Sequence, residues 1–309
     1  MKILNFGSLN CDYVYSVPHM VQEGETLSSR KLEVFPGGKG LNQSIALARA
    51  GAPVFHGGLI GEDGDFLLDI AAESGVDCSL VERVPGRTGH AIIQLTPSGQ
   101  NCILLHGGAN RQITEDFIVR VLERFEPGDL LLMQNEISLP DRLMELAARR
   151  GLSIALNPSP CDEALLRCDL QLADYLILNE LEGMALSGEK DLSRVPDALQ
   201  EKFPKARIVL TLGKDGAVFR YGKEKLLQPV FPVQAVDTTG AGDTFTGYFL
   251  AAVLEGLPAS RALQLAAAAA ALAVSGMGAA SSIPTRQQTE AFLAFRQKPE
   301  SCKNDSRPK

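Results

Sequence analysis

The feature that most constrains the fold is a series of short apolar segments that show no amphipathic alternation. Four of them lie at Leu130–Gln134, Ser153–Asn157, residues 175–178 and residues 208–211. An unbroken apolar run of this length is typical of a strand that is buried on both faces, as strands of parallel sheets are. Helical apolar patterns separate the segments, as at residues 141–150, and such alternation is typical of an α/β domain. The sequence therefore predicts a mainly parallel sheet covered by helices.

The same alternation continues through the N-terminal half of the chain. Residues 54–60 form a predicted strand, and residues 41–50, 65–74 and 114–125 form predicted helices. We expect Thr114 to cap the last helix, because its side-chain oxygen can accept from an N–H group of the first turn. The fold class that these patterns predict is α/β, in the form of a Rossmann-like, three-layer α/β/α domain.

Two regions, residues 12–35 and 88–106, depart from this pattern. They contain short alternating segments with turn residues between them, such as Pro97-Ser98-Gly99. We interpret them as a small antiparallel β-sheet that is inserted at one edge of the domain as a lid. Residues 1–297 then form one domain with this insertion, and the polar residues 298–309 are expected to be a disordered tail.

Composition argues against several classes of partner. A net charge of −7 over 309 residues disfavours nonspecific binding to nucleic acid or to an acidic membrane surface. The longest apolar run, residues 266–274, is too short to span a bilayer, and the run that ends at Gly7 is too short for a secretory leader. The six cysteines have no Cys-x-x-Cys spacing, as expected of reduced thiols in a cytosol. We expect a cytoplasmic protein without nucleic-acid or membrane partners.

The segment VDTTGAGDTF, from Val236 to Phe245, carries the strongest chemical signal. It is a glycine-rich turn that enters an apolar helix, and backbone N–H groups at such a helix start favour an anion. Asp243 lies in the same turn, where a carboxylate is out of place if the turn only holds phosphate. It is explained if Asp243 takes a proton from a hydroxyl beside a phosphoryl group in transfer. The alternative is that Asp243 only caps the helix.

A second glycine-rich segment, PGGKGLNQ at residues 36–43, also enters a predicted helix. It is not a Walker A loop, because Lys39 is followed by glycine and the four-residue spacer between glycines is missing. Glycines here allow the backbone to approach a small polar ligand, to which Lys39 and Asn42 can donate hydrogen bonds. The alternative is an ordinary glycine turn before a helix.

Together the two segments resemble the paired signatures of the ribokinase-like carbohydrate kinases, the pfkB family. Their common patterns are Gly-Gly-Lys-Gly-x-Asn-Gln and Asp-Thr-x-Gly-Ala-Gly-Asp-Thr-Phe. The resemblance runs in order from about residue 3 to about residue 284. The other similar segments are Asn10-Cys11-Asp12, residues 132–136 (LMQNE), residues 155–160 (ALNPSP), residues 179–182 (NELE) and residues 211–216 (TLGKDG).

The resemblance implies an ATP-dependent kinase that phosphorylates the primary hydroxyl of a free sugar, first of all D-ribose to ribose 5-phosphate. Asp243 is then the general base, and the anion hole is formed by the backbone amides of Gly240, Ala241 and Gly242. The residues implied in sugar binding are Asn10, Asp12, Gly38, Lys39, Gly40, Asn42 and Glu136. The residues implied around the nucleotide are Asn179, Thr211, Gly213, Gly216 and Ala267.

The resemblance also implies two cations. Glu182 would hold Mg²⁺ through water, since Mg²⁺ keeps much of its hydration shell; the alternative for Glu182 is a solvated helix face. The residues implied in binding a monovalent cation, K⁺, are Asp237, Thr239, Ala273, Gly276, Gly278 and Ser282. The side chains of residues 277–281 and Cys11 depart from the ribokinase pattern, which leaves the identity of the sugar open.

Three further hypotheses accompany this interpretation. Another sugar or a nucleoside is the alternative acceptor, although Lys39 favours a free sugar, because we expect nucleoside kinases of the family to replace it. A silent sugar-binding regulatory protein is the alternative from another class, but it requires loss of the base or of the anion hole, and the sequence retains both. Finally, a lid with exposed edges and one apolar face predicts a homodimer formed through the lid.

Overall fold

A computed structural model describes residues 1–163 and 165–297 of the chain; the predicted tail, residues 298–309, lies outside the described residues. The strands are β1 (Ile3–Phe6), β2 (Asn10–Ser16), β3 (Lys31–Gly37), β4 (Val54–Ile60), β5 (Asp77–Arg83), β6 (Gly89–Leu95), β7 (Asn101–His106), β8 (Leu130–Gln134), β9 (Ser153–Asn157), β10 (Tyr175–Asn179), β11 (Arg207–Thr211), β12 (Ala217–Tyr221) and β13 (Glu224–Gln228). The helices are α1 (Lys39–Arg49), α2 (Asp65–Glu73), α3 (Glu115–Leu122), α4 (Pro140–Arg149), α5 (Glu180–Ser187), α6 (Val195–Lys202), α7 (Ala241–Leu254), α8 (Ala259–Ala273), α9 (Ala279–Ser282) and α10 (Arg286–Gln297).

The main sheet has nine strands in the order β13-β12-β11-β10-β9-β8-β1-β4-β5. All pairs from β11 to β5 are parallel, and the pairs β11–β12 and β12–β13 are antiparallel. The predicted mainly parallel sheet is therefore confirmed. The unbroken apolar strands lie at its centre, where each of them has a neighbouring strand on both sides.

Both faces of this sheet are buried, as the apolar runs predicted. In β1, Ile3 packs into the core on the side of α1, α7 and α8, whereas Leu4 packs into the core on the side of α3, α4 and α6. In β8, Leu132 and Met133 divide between the two cores in the same way. Successive strand residues point to opposite faces, so this division gives the predicted three-layer α/β/α arrangement.

The predicted helices and central strands agree closely with the structure, and Thr114 caps α3 by accepting from the backbone N–H of Phe117 at 3.3 Å. Three strands of the main sheet, β5, β12 and β13, were not predicted. All three lie at or next to an edge of the sheet. Polar residues occur in each of them, as Ser79 in β5, Arg220 in β12 and Lys225 in β13, so they lack the continuous apolar signal of the central strands.

A second sheet, which we call the lid sheet, has four strands in the order β3-β2-β6-β7. The small sheet expected from residues 12–35 and 88–106 is confirmed, and its hairpins β2–β3 and β6–β7 are antiparallel. The two hairpins join through a parallel pair, β2–β6, which the sequence did not predict. β2 and β6 follow parallel strands of the main sheet, β1 and β5, so both leave the same edge in the same direction.

One face of the lid sheet carries exposed apolar side chains. Val34 and Ile92 both lie opposite Tyr13, and Leu104 lies opposite Ile92, so these side chains share a face with Leu32, opposite Tyr15. Leu32, Val34 and Leu104 are 49%, 48% and 68% exposed. Elsewhere, none of the described helices combines the length and apolar character needed to cross a bilayer.

Candidate active site

The two glycine-rich segments and the ends of three central strands meet in one cleft. Its position follows from the fold, because ligand sites of parallel α/β sheets form beyond the carboxyl ends of the strands. The lining comes from α1, α5, α7 and the ends of β9, β10 and β11. The lining residues are Lys39, Asn157, Ser159, Ile177, Leu178, Asn179, Glu182, Thr211, Gly240, Gly242, Asp243 and Thr246.

The turn before α7 has the geometry of an anion site. Gly240 is the N-cap of α7 and has a φ of 74°, a left-handed conformation that favours glycine. The N–H of Ala241 donates to the carbonyl of Thr238 at 3.3 Å. Within the described part of the chain, the amides of Gly240 and Gly242 donate to no protein acceptor. Those two amides are therefore available at the positive end of the α7 dipole.

Asp243 is not the cap of α7, so the capping alternative is wrong. It is the third residue of the helix, it is 9% exposed, and Gly240 occupies the cap position. Its carboxylate accepts from the side chains of α1 instead: Asn42 Nδ2 donates to Oδ2 at 3.0 Å, and Gln43 Nε2 donates to Oδ1 at 2.9 Å. The two glycine-rich segments are thus joined through this carboxylate.

The glycine-rich loop before α1 packs directly on the connection between β1 and β2. A Cβ atom on Gly40 would lie 2.4 Å from the backbone nitrogen of Ser8, so only glycine fits there. Glu136 lies beneath the loop, where its carboxylate accepts from Ser8 Oγ and, at 3.1 Å, from the backbone N–H of Lys39. Glu136 therefore holds the start of α1 against the end of β1.

Lys39 is the cation of the cleft. Burial alone would lower its pKa, but the carboxylates of Asp243, Glu136 and Glu182 outweigh burial and raise the pKa of Lys39 above its ordinary value. The ammonium group therefore stays charged, which suits a site that receives anionic phosphates in a protein of net negative charge.

Asn10 and Asp12 lie on the lid strand β2. Asn10 Oδ1 accepts from Asn110 Nδ2 at 2.8 Å, and Asn110 also bonds the backbone of Leu9. No motif in the sequence singles out Asn110, which comes from a turn distant along the chain. Asn110 fixes the junction between the main sheet and the lid sheet.

Asp12 packs against the backbone of the glycine-rich loop. A Cβ atom on Gly37 would lie 2.1 Å from Asp12 Oδ2, so the carboxylate uses space that only glycine leaves. Burial, and then the nearby carboxylate of Glu136, raise the pKa of Asp12 to about 7. Asp12 is therefore poorly solvated as an anion, and partners that donate hydrogen bonds to it would stabilise its charged form.

Asn179 and Glu182 form a capping box at the start of α5. Asn179 Oδ1 accepts from the N–H of Glu182 at 3.0 Å, and Glu182 Oε2 accepts from the N–H of Asn179 at 3.0 Å. Glu182 is only 6% exposed, so the solvated-face alternative is wrong. Both side chains line the cleft, and the capping box holds the Glu182 carboxylate in a fixed orientation.

The remaining nucleotide residues of the sequence prediction lie near the end of β11 and on α8. Thr211 lines the cleft, and its Oγ1 donates to the carbonyl of Leu178 at 3.3 Å. Gly213 begins a short 3₁₀ turn, and Gly216 has a φ of 103° and packs against the carbonyl of Gln228. Ala267 is buried in the core beside the sheet. Of these four, the cleft lining contains only Thr211.

The six residues predicted to bind a monovalent cation form a connected group beside the turn before α7. Asp237 Oδ1 accepts from the N–H and Oγ1 of Thr239, and Oδ2 accepts from the N–H of Gly278 at 3.0 Å. The N–H of Gly276 donates to the carbonyl of Ala273, and a Cβ atom on Gly276 would lie 3.0 Å from that of Ser282.

The charge of this group suits a monovalent cation. Burial works to raise the pKa of Asp237, but its three hydrogen bonds outweigh burial and hold that pKa below its ordinary value. Asp237 is thus held as an anion by donors from Thr239 and Gly278. No cluster of three or more histidine, cysteine, aspartate or glutamate side chains that would hold a metal occurs in residues 1–163 and 165–297.

Comparison with known proteins identifies the family of this chain. The sequence matches the pfkB family of carbohydrate kinases over residues 1–286. The chain belongs to this family. It is 38% identical over 298 residues to the ribokinase of Haemophilus influenzae, which covers 93% of this chain and 96% of the relative.

Solved structures of the family share the whole fold. The structure of the ribokinase from Thermotoga maritima has a TM-score of 0.85 and 36% identity, covering 95% of this chain and 99% of its own. The structure of Arabidopsis thaliana ribokinase complexed with ribose and ATP has a TM-score of 0.82 and 30% identity, covering 95% and 98%. The likeness includes the main sheet and the lid sheet, because it extends over almost the entire chain.

The raised pKa of Asp12 predicts a pH-dependent stability. The unfolded chain releases this proton near the ordinary value of 3.8, whereas the folded chain holds it to about pH 7. Between these values the unfolded state binds fewer protons, so this group lowers the stability of the fold as the pH rises. We expect Asp12→Asn to exceed the wild type in free energy of unfolding, by a margin that grows from about pH 4 to about pH 7.

Urea unfolding at several pH values measures this margin. Asp69→Asn, which changes an exposed aspartate of α2, is the matched control and is expected to leave the pH dependence of stability as in the wild type. A constant margin for Asp12→Asn across the range would contradict the assignment of the raised pKa to Asp12.

Proposed function

We propose that this chain transfers the γ-phosphoryl group of ATP to the primary hydroxyl of D-ribose and forms ribose 5-phosphate. The observation that carries the proposal is the position of Asp243, a buried carboxylate that directly follows Gly242 and lies about one turn from Gly240, whose amides are both free. A base and an anion site lie side by side there, as phosphoryl transfer to a hydroxyl requires. The ribokinases similar in sequence and structure support ribose and ATP as the substrates.

In the proposed reaction, Asp243 accepts the proton of the sugar hydroxyl while the hydroxyl oxygen bonds to the γ-phosphorus. The bond from that phosphorus to the oxygen bridging it to the β-phosphorus breaks, and ADP leaves with the electron pair. The free amides of Gly240 and Gly242 stabilise the charge on the transferred group, and the amide of Ala241, whose bond to the carbonyl of Thr238 is 3.3 Å long, adds to them. Lys39, held charged by its neighbours, adds a positive charge at the same place.

We propose that the sugar lies between the lid sheet and the start of α1. Asp12 accepts hydrogen bonds from two ring hydroxyls, which would stabilise its poorly solvated anion. The ligands proposed for the sugar are Asn10, Asp12, Gly38, Lys39, Gly40, Asn42 and Glu136. Residues 1–297 then act as one kinase domain, whose lid sheet covers the sugar and excludes water from the transfer.

For the nucleotide we propose Asn179, Thr211, Gly213, Gly216 and Ala267 as the surrounding residues. Glu182 suits Mg²⁺ held through water, because its carboxylate is buried, oriented by the capping box and part of the cleft lining. Mg²⁺ supplies charge neutralisation of the ATP phosphates when it is bound. The use of ATP and a free sugar supports a cytoplasmic location.

The test of this proposal is ATP consumption with a panel of free sugars, nucleosides and sugar phosphates. We expect the strongest turnover with D-ribose, and Asp243→Asn to lower kcat by about 100-fold or more because the base is lost. Ribose binding by this variant, measured by calorimetry, should persist. Unchanged turnover in Asp243→Asn would contradict the mechanism. Turnover only with another compound of the panel would make that compound the substrate in place of D-ribose. No turnover with any member would favour a sugar-binding regulatory protein.

We also propose that K⁺ binds beside the turn before α7 and increases the rate. Asp237 and its partners tie this turn to the loop before α9, so a cation there would order the anion site. Turnover is expected to be faster in KCl than in NaCl at equal ionic strength. Asp237→Asn, which keeps the shape but removes the charge, should lose this difference; equal rates of the wild type in both salts would overturn the cation proposal.

Finally, we propose that the chain forms a homodimer through the apolar face of the lid sheet. The same face of a second copy would cover the exposed side chains of Leu32, Val34 and Leu104. In a two-fold dimer the two copies contribute identical surfaces to the interface. Sedimentation is expected to show a dimer for the wild type and the 33.1 kDa monomer for Leu104→Lys. Leu227→Lys, which changes an equally exposed leucine of β13, should remain dimeric. A monomeric wild type at micromolar concentration would refute the dimer.

A further inference from the structure

A buried series of side-chain amides lies directly behind the carboxylate of Asp243. It consists of Gln43 on α1, Gln134 at the end of β8 and Asn5 on β1, and all three are 0% exposed. Gln43 contacts the carboxylate, Gln134 contacts Gln43, and Asn5 contacts Gln134. Gln43 and Gln134 fall within family-like segments, yet the sugar, nucleotide and cation sites described above do not use them.

Each amide in the series fixes the orientation of the next. Gln134 Nε2 donates to Asn5 Oδ1 at 2.9 Å and to Gln43 Oε1 at 2.7 Å. Because the oxygen of Gln43 faces Gln134, its nitrogen must face the other way. That nitrogen donates to Asp243 Oδ1 at 2.9 Å and to Asn157 Oδ1 at 3.0 Å, so both of its protons are used. The series therefore presents a donor, never an oxygen, to the carboxylate.

Gln134 keeps this orientation although its own side-chain oxygen has no hydrogen-bond donor within the described residues. Gln134 Oε1 is buried and accepts no hydrogen bond within the described residues. It lies against Gly7, where a Cβ atom would be 2.2 Å away. A buried acceptor without a donor costs free energy, and such an atom in a native site calls for an explanation. The requirement for a donor facing Asp243 supplies one.

We propose that Gln43 is a positioning residue for Asp243 in phosphoryl transfer, and that Gln134 fixes its orientation. This inference rests on the proposed function, in which Asp243 is the base. Gln43 keeps Oδ1 occupied as an acceptor and holds the carboxylate plane fixed. Each carboxylate oxygen thus accepts one amide donor, Oδ1 from Gln43 and Oδ2 from Asn42, and keeps a further lone pair with which to take the sugar proton. The amide protons of Gln43 stay on its nitrogen throughout.

The experiment compares kcat and KM of Gln43→Met with those of the wild type. We expect kcat to fall about 10- to 100-fold, because the base is displaced from the sugar hydroxyl, while KM for ribose and for ATP changes less than about threefold. A purely structural role of Gln43 would not produce this separation of kcat from KM.

The matched control is Gln200→Met. Gln200 is also a buried glutamine, but it lies on α6, on the opposite face of the sheet, where its nitrogen shares two protons among the carbonyls of Phe203, Pro204 and Ala206. Its replacement removes a buried amide without touching Asp243. Values of kcat and KM for Gln43→Met equal to those of Gln200→Met would overturn the proposal.

Gln43→Glu keeps the test valid if Gln43→Met does not fold. Its protonated carboxyl can donate to Asp243 and accept from Gln134, whereas its ionised form can only accept. The ratio of its kcat to that of the wild type is therefore expected to fall as the pH rises, and a ratio independent of pH would overturn the proposal. A wild type that does not phosphorylate ribose is a different result. It overturns the proposed substrate, and the variants are then compared on whichever sugar the wild type phosphorylates.

Discussion

Two side-chain amides on α1 hold the carboxylate of Asp243 on α7, and the organisation of the cleft depends on this contact. The glycine-rich loop before α1 and the glycine-rich turn before α7 come from opposite ends of the chain. Asn42 and Gln43 bring them to one carboxylate. The start of α1 is in turn held to β1 and β8 by Gly40 and Glu136. Burying a carboxylate costs free energy unless it is hydrogen-bonded. The two amide donors that lower this cost for Asp243 are also the contacts that join α1 to α7.

Charge at the site is arranged locally, as the negative charge of the whole protein requires. Lys39 lies among carboxylates that keep it protonated. Asp12 lies at the lid, where burial and Glu136 work against its charged form. The carboxylates around Lys39 thus favour its charged form, whereas the surroundings of Asp12 disfavour its anion. The hydroxyl groups of a neutral polyol would stabilise the anion of Asp12 by donating hydrogen bonds to it. A phosphate group would be attracted to the charged ammonium group of Lys39.

The central strands and the two glycine-rich segments were predictable because their signals are local. An apolar run such as Leu130–Gln134 needs no knowledge of its neighbours to be interpreted as a doubly buried strand. The edge strand β13 was not predicted because polar residues interrupt its apolar pattern. The parallel pairing of β2 with β6 was not predictable because the two strands lie far apart along the chain. The role of Asp243 remained open for the same reason, since Gln43, its partner, lies 200 residues away. The alternative that Glu182 lies on a solvated helix face also stayed open. A capping box at a buried helix start has the same sequence as one at an exposed start.

The turn before α7 and the short helix α9 touch so closely that neither has room to change alone. A Cβ atom on Gly240 would lie 2.9 Å from the Cβ of Ala279, and the left-handed backbone of Gly240 excludes other side chains independently of this contact. Evolution of this loop is therefore confined to residues that leave the contact intact. Sequence diversity near α9 should accumulate at exposed positions such as Met277, where a new side chain extends into solvent.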